Sequence, residues 1–116
     1  MTRSDNEAPG PLSYNAALVL QALAQGYAYG FEIMRAAHLP SGTVYPLLRR
    51  LEAGGLLESS WEDAERAHDE GRPPRRYYRA TALGKTALAE ARERLRAQQT
   101  LFGGPPVGLA GDGRKP

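Results

Sequence analysis

Two short stretches of the chain concentrate arginine beside groups that recognise anions. The first holds Thr43, Tyr45, Pro46, Arg49 and Arg50; the second holds Arg72, Arg75 and Arg76 around Pro73-Pro74. Guanidinium forks match phosphate oxygens and the O6/N7 edge of guanine, so both stretches suit nucleic acid. Arg49 and Arg50 fit either role, base reading or phosphate contact. Thr43 and Tyr45 add hydroxyls near a helix start, where backbone N–H groups also bind phosphate. Pro46 adds a rigid apolar surface, and falls in or just after the first turn, where a missing N–H costs little. Other chemistry finds no support. There is no cysteine, and His38 and His68 stand without a second ligand at metal-binding spacing. No nucleophile–base set or P-loop is present. No enzyme activity, catalytic residue, metal or cofactor is therefore expected.

These arginines need elements to hold them. Val44, Leu47, Leu48 and Leu51 follow the i, i+3, i+4, i+7 spacing of a buried helix stripe, which predicts a helix over 42–53 with the arginines on its outer side. Ser41 is expected to cap it and Gly54-Gly55 to end it. Upstream, Pro11 to Gln25 reads as a helix capped by Ser13, Gly26 to Gly30 as a turn, and Phe31 to His38 as a second short helix broken by Pro40. A helix, a tight turn and an amphipathic helix make a helix-turn-helix.

Downstream, Leu57, Ser59 and Trp61 alternate with polar residues as in a strand, and Arg75 to Thr81 reads as its partner. The polar loop between them makes this hairpin a wing over 63–76. Aromatics at strand spacing place Trp61, Tyr77 and Tyr78 in the hairpin core ahead of a stacking role. Thr81 is expected to cap a last helix running to about 100. On it Leu88, Ala91 and Leu95 either pack on the chain's own core or form a seam with a second copy. So small a domain has few faces left to cover them, which favours the seam. The fold class is thus mainly α with a small β-hairpin: a winged helix-turn-helix over 11–80 and a C-terminal dimerisation helix over 81–102. Met1 to Gly10 reads as a flexible arm and residues 103–116, rich in Gly and Pro, as a disordered tail.

Composition narrows the class without naming it. The 116 residues carry a net charge of +2, with 41% hydrophobic and 24% charged residues, as in an ordinary globular domain. Signs are segregated: acids fill Glu58 to Glu70 and arginines follow from Arg72 to Arg79. The acids at Glu62, Asp63, Glu65, Asp69 and Glu70 would repel DNA. They must face away or be paired, with Arg66 or with a helix of a partner subunit. No secretory signal or membrane span is read, so a cytoplasmic protein with no membrane partner is expected.

The spelling of these segments carries a resemblance. Gly-Phe-Glu-Ile at 30–33, Pro-Ser-Gly-Thr-Val-Tyr-Pro-Leu-Leu-Arg-Arg-Leu-Glu at 40–52, Gly-Leu-Leu at 55–57, Gly-Arg-Pro-Pro-Arg-Arg-Tyr-Tyr at 71–78 and Thr-Ala-Leu-Gly at 81–84 together resemble the PadR family of bacterial transcriptional regulators. The resemblance spans roughly 12–100 and rests on the combination of pieces. It implies a winged-helix DNA-binding domain, a homodimer formed largely through the C-terminal helix, and repression of a nearby promoter. Family members often respond to small aromatic or hydrophobic compounds, so a small hydrophobic effector joins double-stranded operator DNA among the expected partners. A protein-binding winged helix is the competing reading. Exposed arginines argue against it, because such a surface would be apolar or aromatic.

Overall fold

The computed structural model of the chain describes residues 10–103. The expectations of a flexible arm over 1–10 and a disordered tail over 103–116 fall, but for their inner residues, outside them. The elements run α1 (Tyr14–Ala24), α2 (Gly30–Ala37), α3 (Ser41–Ala53), β1 (Leu57–Trp61), α4 (Ala64–Asp69), β2 (Arg76–Ala80) and α5 (Ala82–Gly103). This is the mainly helical winged helix-turn-helix that the periodicities predict, with a C-terminal helix.

Local chemistry explains most boundaries. The Ser13 hydroxyl accepts the Ala16 N–H and starts α1. Glu32 reaches back to accept the Ala28 N–H at 3.1 Å, tying down the entry to α2. His38 ends α2 in the left-handed region at φ 57, and Pro40 then prevents continuation. Ser41 does not cap α3: Pro40 is the cap residue, and its carbonyl accepts the Thr43 and Val44 N–H groups. Pro46 likewise sits deeper than expected, in the middle of α3, so the helix lacks the bond that an N–H at 46 would give to Gly42.

The core is built by α1, α2, α3 and α5. Val19, Leu20, Ile33, Val44 and Leu48 are fully buried, joined by Leu47, Leu51, Leu56, Leu57 and Leu88. The α3 stripe is therefore the buried one. Strands β1 and β2 pair antiparallel, Leu57 opposite Ala80 and Trp61 opposite Arg76. The turn read at 26–30 does more than bend. Tyr29 bridges to Tyr77, and the Tyr78 N–H donates to the Ala28 carbonyl at 2.7 Å, so the segment before α2 holds the wing's second strand.

Three sequence expectations are corrected here. The loop over 63–74 contains the helix α4, capped by the Asp63 carboxylate on the Glu65 N–H and anchored by the fully buried Ala67. Six residues, charged on most sides, are too short for periodicity to register. Trp61 is not in the hairpin core but 65% exposed, because β1 runs past the helices before it ends. Leu88 and Ala91 lie in the chain's own core at 6% and 0% exposure; of the three residues expected at a seam with a second copy, only Leu95 keeps part of its surface.

Candidate nucleic-acid interface

The outer side of α3 is set by geometry: with Val44, Leu47, Leu48 and Leu51 turned inward, Gly42, Arg49, Arg50 and Ala53 face solvent, as residues opposite the buried stripe must. Neither Arg49 nor Arg50 has a side-chain hydrogen bond or ion pair among the described residues, which leaves two guanidinium groups available to an anion. They diverge. Arg49 lies toward the wing, near enough to Tyr78 to act on its phenol together with Arg76, Glu52 and Tyr45. Arg50 lies on the opposite flank, over a crevice of about 520 Å3 between the start of α1, the end of α3 and α5. Thr43 is half-buried.

Tyr45 marks the wing side of α3. Its ring rests on Gly30: a Cβ at position 30 would fall 2.5 Å from the phenol oxygen. Gly30 therefore seats Tyr45 at the edge of a cleft of about 470 Å3, whose other walls include Tyr29, Pro73, Pro74, Arg75 and Arg76. Burial pushes the Tyr78 hydroxyl's pKa up where it lines the same cleft. Tyr45, Arg75 and Arg76 thus line one cleft, with Arg49 beside it near Tyr78; Pro46, half-buried on α3, is not among its walls.

The wing arginines are not equivalent. Arg76 lies over the Trp61 ring, 5.5 Å from its centroid, and donates to Ser59 Oγ at 2.9 Å, and the Ser59 hydroxyl donates in turn to Glu52 of α3 at 2.5 Å. Arg75 lies over the Tyr29 ring at 4.2 Å. Arg75 holds its charge at the cleft braced by that ring; Arg76 is also ion-paired with Glu52 at 3.4 Å, but its side chain is 43% exposed and its other terminal nitrogen has no partner among the described residues. Arg72 is different. Its two terminal nitrogens grip the Glu62 carboxylate at 2.6 and 2.8 Å, and it also bonds Glu70. Its side chain is 20% exposed and that of Glu62 only 5%. A guanidinium so occupied has little left for a phosphate, so of the eight residues expected to meet DNA, Arg72 is the one the structure turns to another task.

That pairing accounts for part of the acidic run. Glu62 also accepts the Arg75 N–H at 3.1 Å, Glu70 is held by Arg72 and Arg66 and Asp63 caps α4, while Glu65 and Asp69 stand exposed with no side-chain ion pair among the described residues. The sequence points to Arg66 as partner; the main one is Arg72, ten residues from Glu62 and brought back by the hairpin. The Arg72 side chain, chiefly, holds the Glu62 carboxyl down at about 2 against an ordinary 4.5. A lowered carboxylate pKa stabilises the fold above its unfolded value, and that contribution is lost as pH falls from about 4.5 toward 2. The melting temperature of the unaltered chain is therefore expected to fall more steeply than that of Glu62→Gln between about pH 5 and about pH 3, the two converging at the acid end. Parallel curves in a thermal melt series would show that the clamp contributes nothing.

Comparison with known proteins gives the family and the fold. The model of the Transcriptional regulator PadR-like family matches residues 19–90, from α1 into α5. The chain is 52% identical over 54 residues to the transcriptional regulator Rv3488 of Mycobacterium tuberculosis, a stretch covering 47% of this chain and 45% of that protein. The chain thus matches under half the length of that relative. Among solved structures, a PadR family transcription regulator of Clostridium difficile R20291 superposes with a TM-score of 0.68 at 25% identity, covering 78% of this chain and 95% of that one. The PcaV transcriptional regulator of Streptomyces coelicolor, solved with its natural ligand, shares the fold at a TM-score of 0.69 and 19% identity, over 87% of this chain and 67% of that one. The family match extends over well more than half of the sequence and takes in both the helix-turn-helix and the wing, and the chain belongs to the PadR-like family of transcriptional regulators.

Proposed function

We propose that the protein is a dimeric, sequence-specific DNA-binding repressor that reads an inverted-repeat operator with α3 in the major groove and the wing on the backbone or minor groove. The observation that carries this reading is the outer side of α3, where Arg49 and Arg50 stand exposed with no side-chain partner among the described residues. Arg75 and Arg76 extend the cationic surface along the cleft. A dimer would set two such helices about one turn of DNA apart, ~34 Å.

The second copy would be met by the far end of α5 and the start of α1. Leu101 and Phe102 are 75% and 88% exposed and Tyr14 is 61% exposed; Tyr14, Leu95 and Phe102 border one shallow depression. Exposed aromatic and aliphatic groups clustered in this way mark an association surface. Leu95→Glu combined with Phe102→Glu is expected to shift the protein from dimer to monomer in sedimentation equilibrium at micromolar concentration; a dimer that persists would move the seam elsewhere.

The function is tested by a mobility shift with DNA from the protein's own promoter region against scrambled competitor at fixed salt. A competitor-resistant complex whose affinity falls steeply with salt is expected; a complex lost to competitor would leave only nonspecific phosphate binding. One observation favours ligand response as a second reading. The crevice beneath Arg50 is walled by Leu12, Leu47, Leu51 and Leu83, and a small hydrophobic effector seated there would bear directly on α3. Release of the bound DNA by planar hydrophobic acids is the corresponding test.

A further inference from the structure

We propose that Trp61, paired with Arg76, is a second DNA contact beside α3: an aromatic platform at the root of the wing that packs on the sugar–phosphate rim of the groove in which α3 lies. This rests on the DNA-binding reading above and adds to it a contact that is not primarily ionic.

Four observations support it. Trp61 is 65% exposed, an unusual state for the chain's one tryptophan, since tryptophan is on average highly buried. Its position is nonetheless rigid. The ladder continues past it through the Glu62 N–H, which donates to the Arg75 carbonyl at 2.8 Å, and the Glu62 side chain is clamped by Arg72. Its cross-strand partner is Arg76, whose guanidinium lies 5.5 Å from the indole. Finally, the pair is continuous with the reading surface. Arg76 reaches Glu52 on α3 at 3.4 Å, and Arg76 and Arg49 both act on Tyr78.

An exposed indole beside a guanidinium suits a polyanion better than a protein partner. The arginine meets phosphate while the ring covers deoxyribose, as aromatic side chains do on nucleic-acid platforms. A protein-binding patch would surround the tryptophan with apolar neighbours, whereas here it is flanked by Ser60, Glu62 and Arg76.

A single tryptophan makes the test direct. The full chain is titrated with labelled double-stranded promoter DNA, following anisotropy of the DNA and acrylamide quenching of Trp61 in the same samples. Quenching is expected to be strong in the free protein and to drop as DNA saturates. Trp61→Ala is expected to weaken binding ~10-fold while leaving the slope of log affinity against log salt unchanged, with Trp61→Phe recovering most of the loss. Saturation by DNA with Trp61 still fully quenchable would overturn the inference and leave the regulator reading standing. Strong shielding in the DNA-free protein would mean that a second copy covers the indole, and would overturn it too. Absence of any DNA binding by the unaltered chain would overturn both.

Discussion

Gly84→Ala is expected to lower the melting temperature by ~10–20 °C, the largest effect of any single methyl group in this chain. Position 84 lies in the first turn of α5, where the helix presses against the end of the loop before β1. A Cβ there would overlap the Leu56 carbonyl oxygen, with the carbonyl carbon at 3.1 Å and Leu56 Cα at 3.4 Å. These are backbone atoms and cannot rotate aside. They are also engaged: the Leu56 carbonyl accepts the Thr81 N–H at 3.0 Å, the Thr81 hydroxyl donates to the Gly55 carbonyl at 2.6 Å, and it accepts the Gly84 N–H at 3.1 Å. Relief requires α5 to move outward, which loosens that cap and the packing of Leu88 and Ala91. Overpacking costs roughly 1–3 kcal/mol and a lost cap about 1. The helical gain of alanine over glycine, about 0.5–1 kcal/mol, offsets only part. The net, ~2–3 kcal/mol, converts at ~4–8 °C per kcal/mol for a domain of this size. Gly42→Ala is the control. It brings the same helical gain to a position with nothing within 4 Å, and its melting temperature is expected to hold or rise. A Gly84→Ala melt within a degree or two of the parent would show that α5 adjusts freely, and the cap would lose its assigned role.

Arg49→Ala is expected to weaken operator binding by about 1–3 kcal/mol, roughly 5- to 150-fold, if the guanidinium takes a guanine edge in two hydrogen bonds. No internal partner among the described residues competes for it, so its removal should leave the melting temperature nearly unchanged. Arg72→Ala makes the informative contrast. It strands the nearly buried Glu62 carboxylate, so its main effect is expected on wing stability, as a lower melting temperature, rather than on base discrimination. Equilibrium titration of labelled operator and of a competitor with one altered base pair per half-site separates the two. If Arg49→Ala leaves operator affinity within about twofold of the parent, α3 is not the reader.

The contrast between Arg49 and Arg72 shows where sequence reasoning stops. Both arginines adjoin a second arginine or a proline pair in the sequence, and each looks equally available. What separates them is Glu62, which the hairpin returns to Arg72 across ten residues of chain. Pairing across a long loop has no local signature. The α5 residues teach the same lesson. The spacing of Leu88, Ala91 and Leu95 correctly marks an apolar stripe, but periodicity describes only the helix that carries it, and says nothing of whether α1 of the same chain or a second copy lies opposite.

Sequence alone determined the order and kind of the main elements: the turn chemistry around Gly26, Pro40 and Gly54, the buried stripe of α3 and hence its cationic outer side, the two strands of the wing, and the family. Each of these depends on interactions within about four residues, or on a periodicity that any buried helix or strand must show. Only the tertiary structure decided that Arg72 is a clamp, that Leu88 and Ala91 close the chain's own core, that Gly84 must be glycine beneath Leu56, and that Trp61 stands exposed beside Arg76. Those outcomes depend on atoms far apart in the chain meeting at a few ångströms, and it is the packing of the whole domain that brings them there.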